Sequence, residues 1–235
     1  MMNAKSYWMC TVVAAALVVG CVVPLDDADP SDEPSEADSS GEPSSIQSAT
    51  PALTGKYISV SEVLADARPG RTTHVNGNLL LDSKMTMSGV DLRVSGSIVA
   101  PEGAELEGLD GAKLTAQGDI VVGRLIGGSG GMSLIATGDI YVSGDSIGAV
   151  NYQTTGKVTV SGMFVGGQKV VGSTVYGAAG GATVTASALY VTGGDFVGRN
   201  YLVHATVTPP NTAGARIYAN LFITQGSFIG RDKIE

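Results

Sequence analysis

The chain has 235 residues, a formal net charge of −8, 33 glycines and two cysteines. Eight acidic residues and no basic ones lie between Asp26 and Thr50. The rest of the chain is therefore close to neutral and has no basic field that would attract nucleic acid. Both cysteines, Cys10 and Cys21, lie in the first 21 residues. This excludes a disulfide, a cysteine-based metal site and a cysteine nucleophile further along the chain.

An uncharged apolar stretch lies near the start of the chain. It runs from Tyr7 to Gly20, after a single positive side chain, Lys5, and the next residue is Cys21. A charged start, a short apolar core and a small residue before the cut are typical of a signal peptide. The sequence LVVGC that ends at Cys21 resembles the signals of bacterial lipoproteins. That resemblance implies a signal peptide over residues 1–20 and a lipid on Cys21. Because Val22 follows, rather than aspartate, it also implies an outer-membrane location.

Two alternatives to the lipoprotein interpretation stay open. The uncharged segment of residues 6–25 is long enough to cross a bilayer, so a signal anchor is one alternative. An ordinary secreted protein is the other. Under the lipoprotein interpretation, residues 21–50 link the lipid to the folded part. Their acidic, Ser- and Pro-rich composition cannot bury enough surface to offset the entropy of ordering. We therefore predict that they form a disordered tether.

Residues 57–67 are the one helical candidate. Four apolar residues share one face of it: Val60, Val63, Leu64 and Ala67. Ser59 followed by Glu62 matches a capping box. We predict that residues 51–74 form an N-terminal cap whose short helix covers the first turn of the domain that follows. The alternative is a small separate ligand-binding barrel formed by residues 55–110.

Short alternating apolar runs fill the rest of the chain, as expected of β-strands. The clearest copies start at a glycine and read GDIVV, GDIYV and GKVTV: Gly118–Val122, Gly138–Val142 and Gly156–Val160. A second element trails the later copies and reads Ser146-Ile147-Gly148, Phe164-Val165-Gly166, Phe196-Val197-Gly198 and Phe228-Ile229-Gly230. Repeats at a period near twenty residues are typical of solenoids. We predict an all-β fold, a right-handed parallel β-solenoid over residues 75–235, with insertions at 170–181 and 199–213. A β-sandwich or barrel is the alternative.

The Gly-Asp-Ile turns resemble those of bactofilin-type polymer-forming proteins and, more loosely, the repeats of filamentous-haemagglutinin adhesins. The resemblance covers about residues 75–235 and implies a structural, adhesive or assembly role. Bactofilins have regular turns and are generally cytoplasmic. This sequence differs from them in its long insertions and its predicted export signal.

Residues that carry chemistry are few. His74 and His204 have no second ligand at metal spacing, and no glycine-rich stretch completes a phosphate-binding motif, so no metal or cofactor is expected. Three charged residues take the same place in successive repeats: Asp119, Asp139 and Lys157. A pair of carboxylates there could hold Ca²⁺ or shift a pKa, as in β-helix enzymes that cut acidic polysaccharides. An aspartate after a corner glycine more commonly accepts hydrogen bonds from nearby backbone N–H groups. We therefore predict that the protein is not an enzyme, with a carbohydrate-binding or carbohydrate-active β-helix as the competing hypothesis.

Two surfaces are expected to make contacts. The strand position between two inward residues should face outwards and form an aromatic stripe: Tyr141, Tyr190 and Phe222. Such a stripe suits protein or sugar partners. The C-terminal turn, residues 216–235, has no predicted cap, and Phe228, Ile229 and Arg231 mark it as the candidate assembly edge of a symmetric homodimer. The expected partners are a membrane through the N-terminal lipid, a second copy, and a cell-envelope component or polysaccharide.

Overall fold

The computed structural model describes residues 56–68, 70–210 and 212–235. The predicted signal peptide, Cys21 and the tether lie outside these residues. The described part contains one helix, α1 (Val60–Asp66), and 22 strands. The strands in chain order are β1 (Tyr57–Ser59), β2 (Thr72–Val75), β3 (Asn78–Leu80), β4 (Lys84–Ser88), β5 (Asp91–Val94), β6 (Ile98–Val99), β7 (Glu105–Leu109), β8 (Ala112–Ala116), β9 (Ile120–Val122), β10 (Arg124–Ala136), β11 (Ile140–Val142), β12 (Ser146–Thr154), β13 (Lys157–Val160), β14 (Phe164–Val165), β15 (Lys169–Val171), β16 (Thr174–Tyr176), β17 (Thr183–Val191), β18 (Phe196–Val197), β19 (Tyr201–Val203), β20 (Arg216–Thr224), β21 (Phe228–Ile229) and β22 (Lys233–Ile234).

The strands stack into a parallel β-solenoid with three main faces, to which each full turn contributes one strand or half of a long strand. The first face consists of β2, β5, β8, the second halves of β10 and β12, and the first halves of β17 and β20. The second consists of β1, β3, β6, β9, β11, β13 and the second halves of β17 and β20. The third consists of β4, β7, the first halves of β10 and β12, β14, β18 and β21. The predicted fold class, a parallel β-solenoid, is confirmed.

The core is a set of ladders in which equivalent inward residues stack along the solenoid axis. On the second face the ladder is Leu79, Ile98, Ile120, Ile140, Val158 and Leu189, all of them fully buried. Ile140 and Val142 are fully buried and Tyr141 between them is partly exposed, as the repeat frame predicts. Burial of these aliphatic rows is the main favourable contribution to the stability of the stack.

The N-terminal end carries the predicted cap. Strand β1 pairs in parallel with β3 and so extends the second face by one strand. The Ser59 side chain caps α1 by accepting a hydrogen bond from the Ser61 N–H at 3.3 Å. Val60 is fully buried and Val63 packs against the core. The helix begins directly after the predicted cap residue Ser59, and the first three residues of the candidate range 57–67 form strand β1 instead.

The described residues of the segment 55–110 continue directly into the solenoid. Their strands β5, β6 and β7 pair with β8, β9 and β10 of the next turn. Their apolar side chains belong to the same core cluster as those of the later turns. This segment therefore forms the first turns of the stack, and a separate barrel is not present there.

The two predicted insertions build a second, smaller sheet. Strand β15 forms an antiparallel hairpin with β16, and it pairs in parallel with β19, which pairs in parallel with β22. This four-stranded sheet covers an outward row of the third face, in which Ile147, Val165 and Val197 are fully buried. The insertions therefore fold back onto the third face and leave the predicted aromatic stripe on the second face uncovered by this sheet.

Candidate functional site

The predicted corner residues meet along one edge of the solenoid, where their side chains accept hydrogen bonds from backbone N–H groups. Each donates its N–H to the side chain of its equivalent in the previous turn: Ser97 N to Asn78 Oδ1 (2.9 Å), Asp119 N to Ser97 Oγ (3.1 Å), Asp139 N to Asp119 Oδ1 (2.8 Å) and Lys157 N to Asp139 Oδ1 (2.9 Å). The Lys157 Nζ also lies 3.6 Å from Asp139 Oδ2. Each such hydrogen bond contributes about 1 kcal/mol, so this ladder ties successive turns together.

From the second copy of the repeat onwards, the glycine before the corner residue is explained by the same ladder, whereas Gly77 of the first copy has a φ of 118° and no atom near the place of a Cβ. A Cβ atom on Gly138 would overlap the Asp119 carboxylate, and one on Gly156 would overlap the Asp139 carboxylate. Neither glycine has a positive φ. The repeat therefore needs glycine for the close approach of the preceding turn, and not for the left-handed backbone conformation that a corner glycine suggests.

Metal binding and acid–base chemistry have little support among the described residues. That part of the chain contains no group of three or more His, Cys, Asp or Glu residues placed to hold a metal ion. His74 lies on strand β2 and is exposed, whereas His204 follows β19 with a φ of 44°. The corner carboxylates Asp119 and Asp139 already accept backbone hydrogen bonds. These two carboxylates are therefore part of the hydrogen bonding between successive turns.

The outward stripe on the second face differs from the predicted one at its last member. Tyr141 and Tyr190 are partly exposed and share an outward row, with Thr159 between them in register. Phe222 aligns with the inward Leu189 instead, so its assignment to the outward stripe was wrong. Inside the solenoid its ring lies edge-on to Phe196, with centroids 4.9 Å apart. Ile223 takes the outward place beside Tyr190.

The C-terminal end is the second predicted contact surface, and its last turn is not covered by any further strand of the described chain. Four large apolar side chains are exposed there: Tyr218 (61%), Leu221 (45%), Phe228 (61%) and Ile234 (75%). The Phe228 ring stacks on Phe196 at 5.1 Å with an interplanar angle of 1°. Ile229 is half-buried beneath the small sheet and Arg231 is exposed. This end therefore exposes apolar side chains of its last strands, among which Phe228 continues the inward row of Phe196.

Ion pairs hold the rim of this end. Lys233 Nζ lies 2.8 Å from Asp195 Oδ2 and 2.5 Å from Glu235 Oε1. The hydrogen bond from Lys233 and one from the Ser227 N–H lower the pKa of Asp195. The Glu235 pKa is lowered by Lys233 and by the Tyr201 hydroxyl, which donates a hydrogen bond to Glu235 Oε2 at 2.5 Å. These charges are therefore satisfied within the last two turns.

Two arginines on the same rim have no such partner. Arg216 and Arg231 are exposed, and no carboxylate of the described residues lies within ion-pair distance of either. The open end therefore combines exposed apolar side chains with two arginines, Arg216 and Arg231, that form no ion pair within the described residues.

The described residues contain no helix with the length and apolar character needed to cross a membrane. Cys21, the predicted site of lipid attachment, lies outside them. Comparison of the whole chain with family models, with curated proteins and with solved structures gave no match in any of the three. Any inference about function therefore depends on surfaces such as the outward row of the second face and the C-terminal end.

Proposed function

We propose that this chain is an envelope-anchored structural module that self-associates through its last solenoid turn. The observation that supports it is the exposure of Tyr218, Leu221, Phe228 and Ile234 at an end that no strand of the described chain covers. Apolar side chains grouped at one site, beside unpaired strand edges, are typical of a surface that another molecule covers.

A second copy in two-fold symmetry fits this end best. The opposite end is closed by α1 and β1, so head-to-tail stacking into a filament has no free surface to continue on. In a two-fold dimer the same apolar surface of each copy faces that of the other. It also allows Arg231 of one copy to approach Asp232 or Glu235 of the other across the rim.

The size of the end suggests a weak dimer. Residues 216–235 make up the last turn, which is at the lower limit of the roughly 20–30 residues that a stable interface takes from each partner. We therefore expect a weak dimer and look for it at tens of micromolar.

Sedimentation velocity of residues 47–235, which lack the predicted signal and most of the acidic segment, tests this proposal. We expect dimers at tens of micromolar and a monomer when Phe228 and Ile229 are both replaced by Glu. Because Ile229 is half-buried, the single change Ile234→Glu on a 75% exposed side chain guards against a folding defect and should also weaken the dimer. Leu80→Glu, a 39% exposed site on the first turn, is the matched control and should leave the dimer intact. A parent that stays monomeric throughout this range refutes the assembly proposal.

The anchor is part of the same proposal and depends on the sequence. The run that ends at Cys21 supports lipid attachment, and the acidic segment 26–50 supports a tether that places the solenoid away from the outer membrane. A lipid at one end of the chain and a self-associating turn at the other would cross-link two anchored molecules. A structural or adhesive role in the envelope follows from that arrangement.

A further inference from the structure

A polar row lies on the outside of the first face, across three successive turns near the N-terminal end. Strands β2, β5 and β8 pair in parallel there, and His74, Arg93 and Thr115 occupy the same register position. The residues that alternate with them, such as Val75 and Val94, are buried in the core, so these three face outwards. Because neighbouring strands are about 4.8 Å apart, the three side chains form a short row across the sheet.

A second polar row runs beside the first, at the corner where each of these strands ends. Its members, Asn76, Ser95 and Gln117, lie two residues further along the chain than those of the first row, and all three are exposed. The two rows line a recess of about 420 Å³. A volume of this size falls within the range of about 300–1,000 Å³ that is usual for sites of small ligands. The lining side chains include a guanidinium, an imidazole, amides and hydroxyls, with no carboxylate among them.

Arg93 is the charged group of the recess. It is exposed, and no described residue makes a hydrogen bond or an ion pair with its guanidinium. Asp91 precedes it by two residues on the same strand but is not part of the lining. The Asp91 Oδ2 accepts a hydrogen bond from the Thr72 Oγ1 at 2.8 Å, and Lys113 is the in-register neighbour of Asp91 on β8. The guanidinium of Arg93 is therefore available to an anionic group of a ligand.

Thr115 gives an independent observation at the same recess. Its Oγ1 is shielded from solvent and has no hydrogen-bond partner within the described part of the chain. A polar atom left in this way costs about 1–3 kcal/mol, and native proteins leave few of them. A ligand that brings an oxygen or a hydroxyl group to this atom would remove the cost.

We infer that this recess binds an acidic saccharide, one whose sugar rings carry carboxylates. The planar guanidinium of Arg93 matches a carboxylate, which can accept two parallel hydrogen bonds from it. Amide and hydroxyl side chains match the hydroxyl groups of a sugar, because both donate and accept hydrogen bonds. The lining has no carboxylate that would repel the acidic group. A phosphate group, with about two negative charges, would meet only one permanent cation here.

This site is separate from the end that the proposed function uses. The recess is formed by β2, β5 and β8 and the corners that follow them, whereas self-association depends on β20 to β22. Loss of either property leaves the other intact. A chain that binds a second copy at one end and an acidic glycan near the other would connect the anchored dimer to a polysaccharide.

Isothermal titration calorimetry of the full chain with trigalacturonate and with trimannuronate tests the inference. The methyl ester of trigalacturonate, which keeps the sugars and lacks the charges, is the neutral comparison, and inorganic phosphate is the small-anion comparison. We expect saturable binding of at least one acidic trisaccharide, binding of the ester that is weaker by about tenfold or more, and no displacement by phosphate. Binding should weaken as the salt concentration rises, because an exposed ion pair is screened.

Two side chains of the recess should contribute differently. Arg93→Met should weaken binding of the acidic trisaccharide by about tenfold or more and remove the preference over the ester. Arg93→Lys should recover only part of this loss, because an ammonium keeps the charge but not the two parallel N–H donors. Thr115→Val should weaken binding by a smaller factor while the urea midpoint of the free protein stays the same or rises, since the hydroxyl has no partner there.

Arg71→Met is the matched control, because Arg71 is an exposed arginine directly before β2 that does not line the recess. It should leave binding unchanged. Far-UV circular dichroism should show that all of the variants keep the parent fold, since each altered side chain lies on the outside. Absence of binding to both acidic trisaccharides, equal binding of the ester, displacement by phosphate, or an equal loss with Arg71→Met would each overturn the inference.

Discussion

Val142 offers the sharpest test of which strand residues face the core and which face outwards. Its side chain is fully buried and it stacks between Val122 of the preceding turn and Val160 of the following one. Its sequence neighbour Tyr141 is partly exposed on the opposite side of the same strand. A carboxylate placed at these two adjacent positions should therefore have very different effects on the free energy of unfolding.

The magnitude of the loss at Val142 follows from its burial. Removing a fully buried valine side chain forfeits about 1.5–3 kcal/mol of hydrophobic stabilisation. An unpaired carboxylate in the same place adds several kcal/mol for desolvation. Val142→Asp should therefore cost more than about 4–5 kcal/mol, which is comparable with the whole stability of many domains. Tyr141→Asp forfeits the hydrogen bond to Ser161 and part of the ring packing, for which we expect about 1–2 kcal/mol.

Urea unfolding followed by far-UV circular dichroism measures both changes. Because Val142→Asp is expected to be too unstable for a full curve, Val142→Ala supplies a measurable value of about 2–3 kcal/mol from lost methyl groups and the resulting cavity. Repeat proteins can unfold in stages, so a constant slope with urea concentration must be checked for each variant. Equal losses for Asp at Ile140, Tyr141 and Val142 would show that the frame is wrong.

Two further predictions concern the ends of the chain. Cys21→Ser should leave the protein unlipidated and shift it from the membrane to the soluble fraction; unchanged partitioning, with no acyl group on the parent by mass spectrometry, would refute the anchor. The pKa values of Asp195 and Glu235 are lowered in the folded protein. Their ionised forms therefore stabilise the fold at any pH above the ordinary carboxyl pKa, near 4, and this stabilisation is lost as the pH falls through the lowered pKa values. Hydrogen exchange in the last turn should therefore accelerate on acidification, and the variant Lys233→Met should show a smaller acceleration because it lacks the cation that lowers both pKa values.

The solenoid was predictable because its repeats keep a nearly constant spacing. Gly118, Gly138 and Gly156 start copies that differ by only a few residues in length, so the inward places can be read directly from the alternation. The structure buries Ile140 and Val142 as expected. The helix of the cap was also predictable, because Ser59 and the apolar face of α1 are local signals.

The error at Phe222 shows where a repeat pattern stops being sufficient. Paired residues of the last two turns are 33 positions apart on the second face, as in Leu189 and Phe222, but 32 apart on the third face, as in Phe196 and Phe228. A frame with a constant spacing of 32 therefore misplaces β20 by one residue. The apolar sequence Leu221-Phe222-Ile223 fits either frame by hydropathy alone. Packing decides it, because an inward Phe222 joins the aromatic cluster around Phe196.

The small sheet could not be predicted either, since its strands lie far apart in the sequence. Strand β15 pairs with β19 across one insertion, and β19 pairs with β22 across another. Each strand has only two or three residues, too few to show a periodic pattern.

The small sheet also determines what the C-terminal end can do. Strand β22 is its last strand, and the Glu235 N–H donates to the Leu202 carbonyl at 2.8 Å while the Glu235 carbonyl accepts from the His204 N–H at 2.9 Å. Together with the ion pairs of Lys233, these hydrogen bonds hold residues 233–235 in place. The exposed Phe228 and Ile234 are therefore presented by an ordered turn rather than a frayed tail. Because the entropy of ordering this turn is lost on folding, it adds no cost to the proposed association.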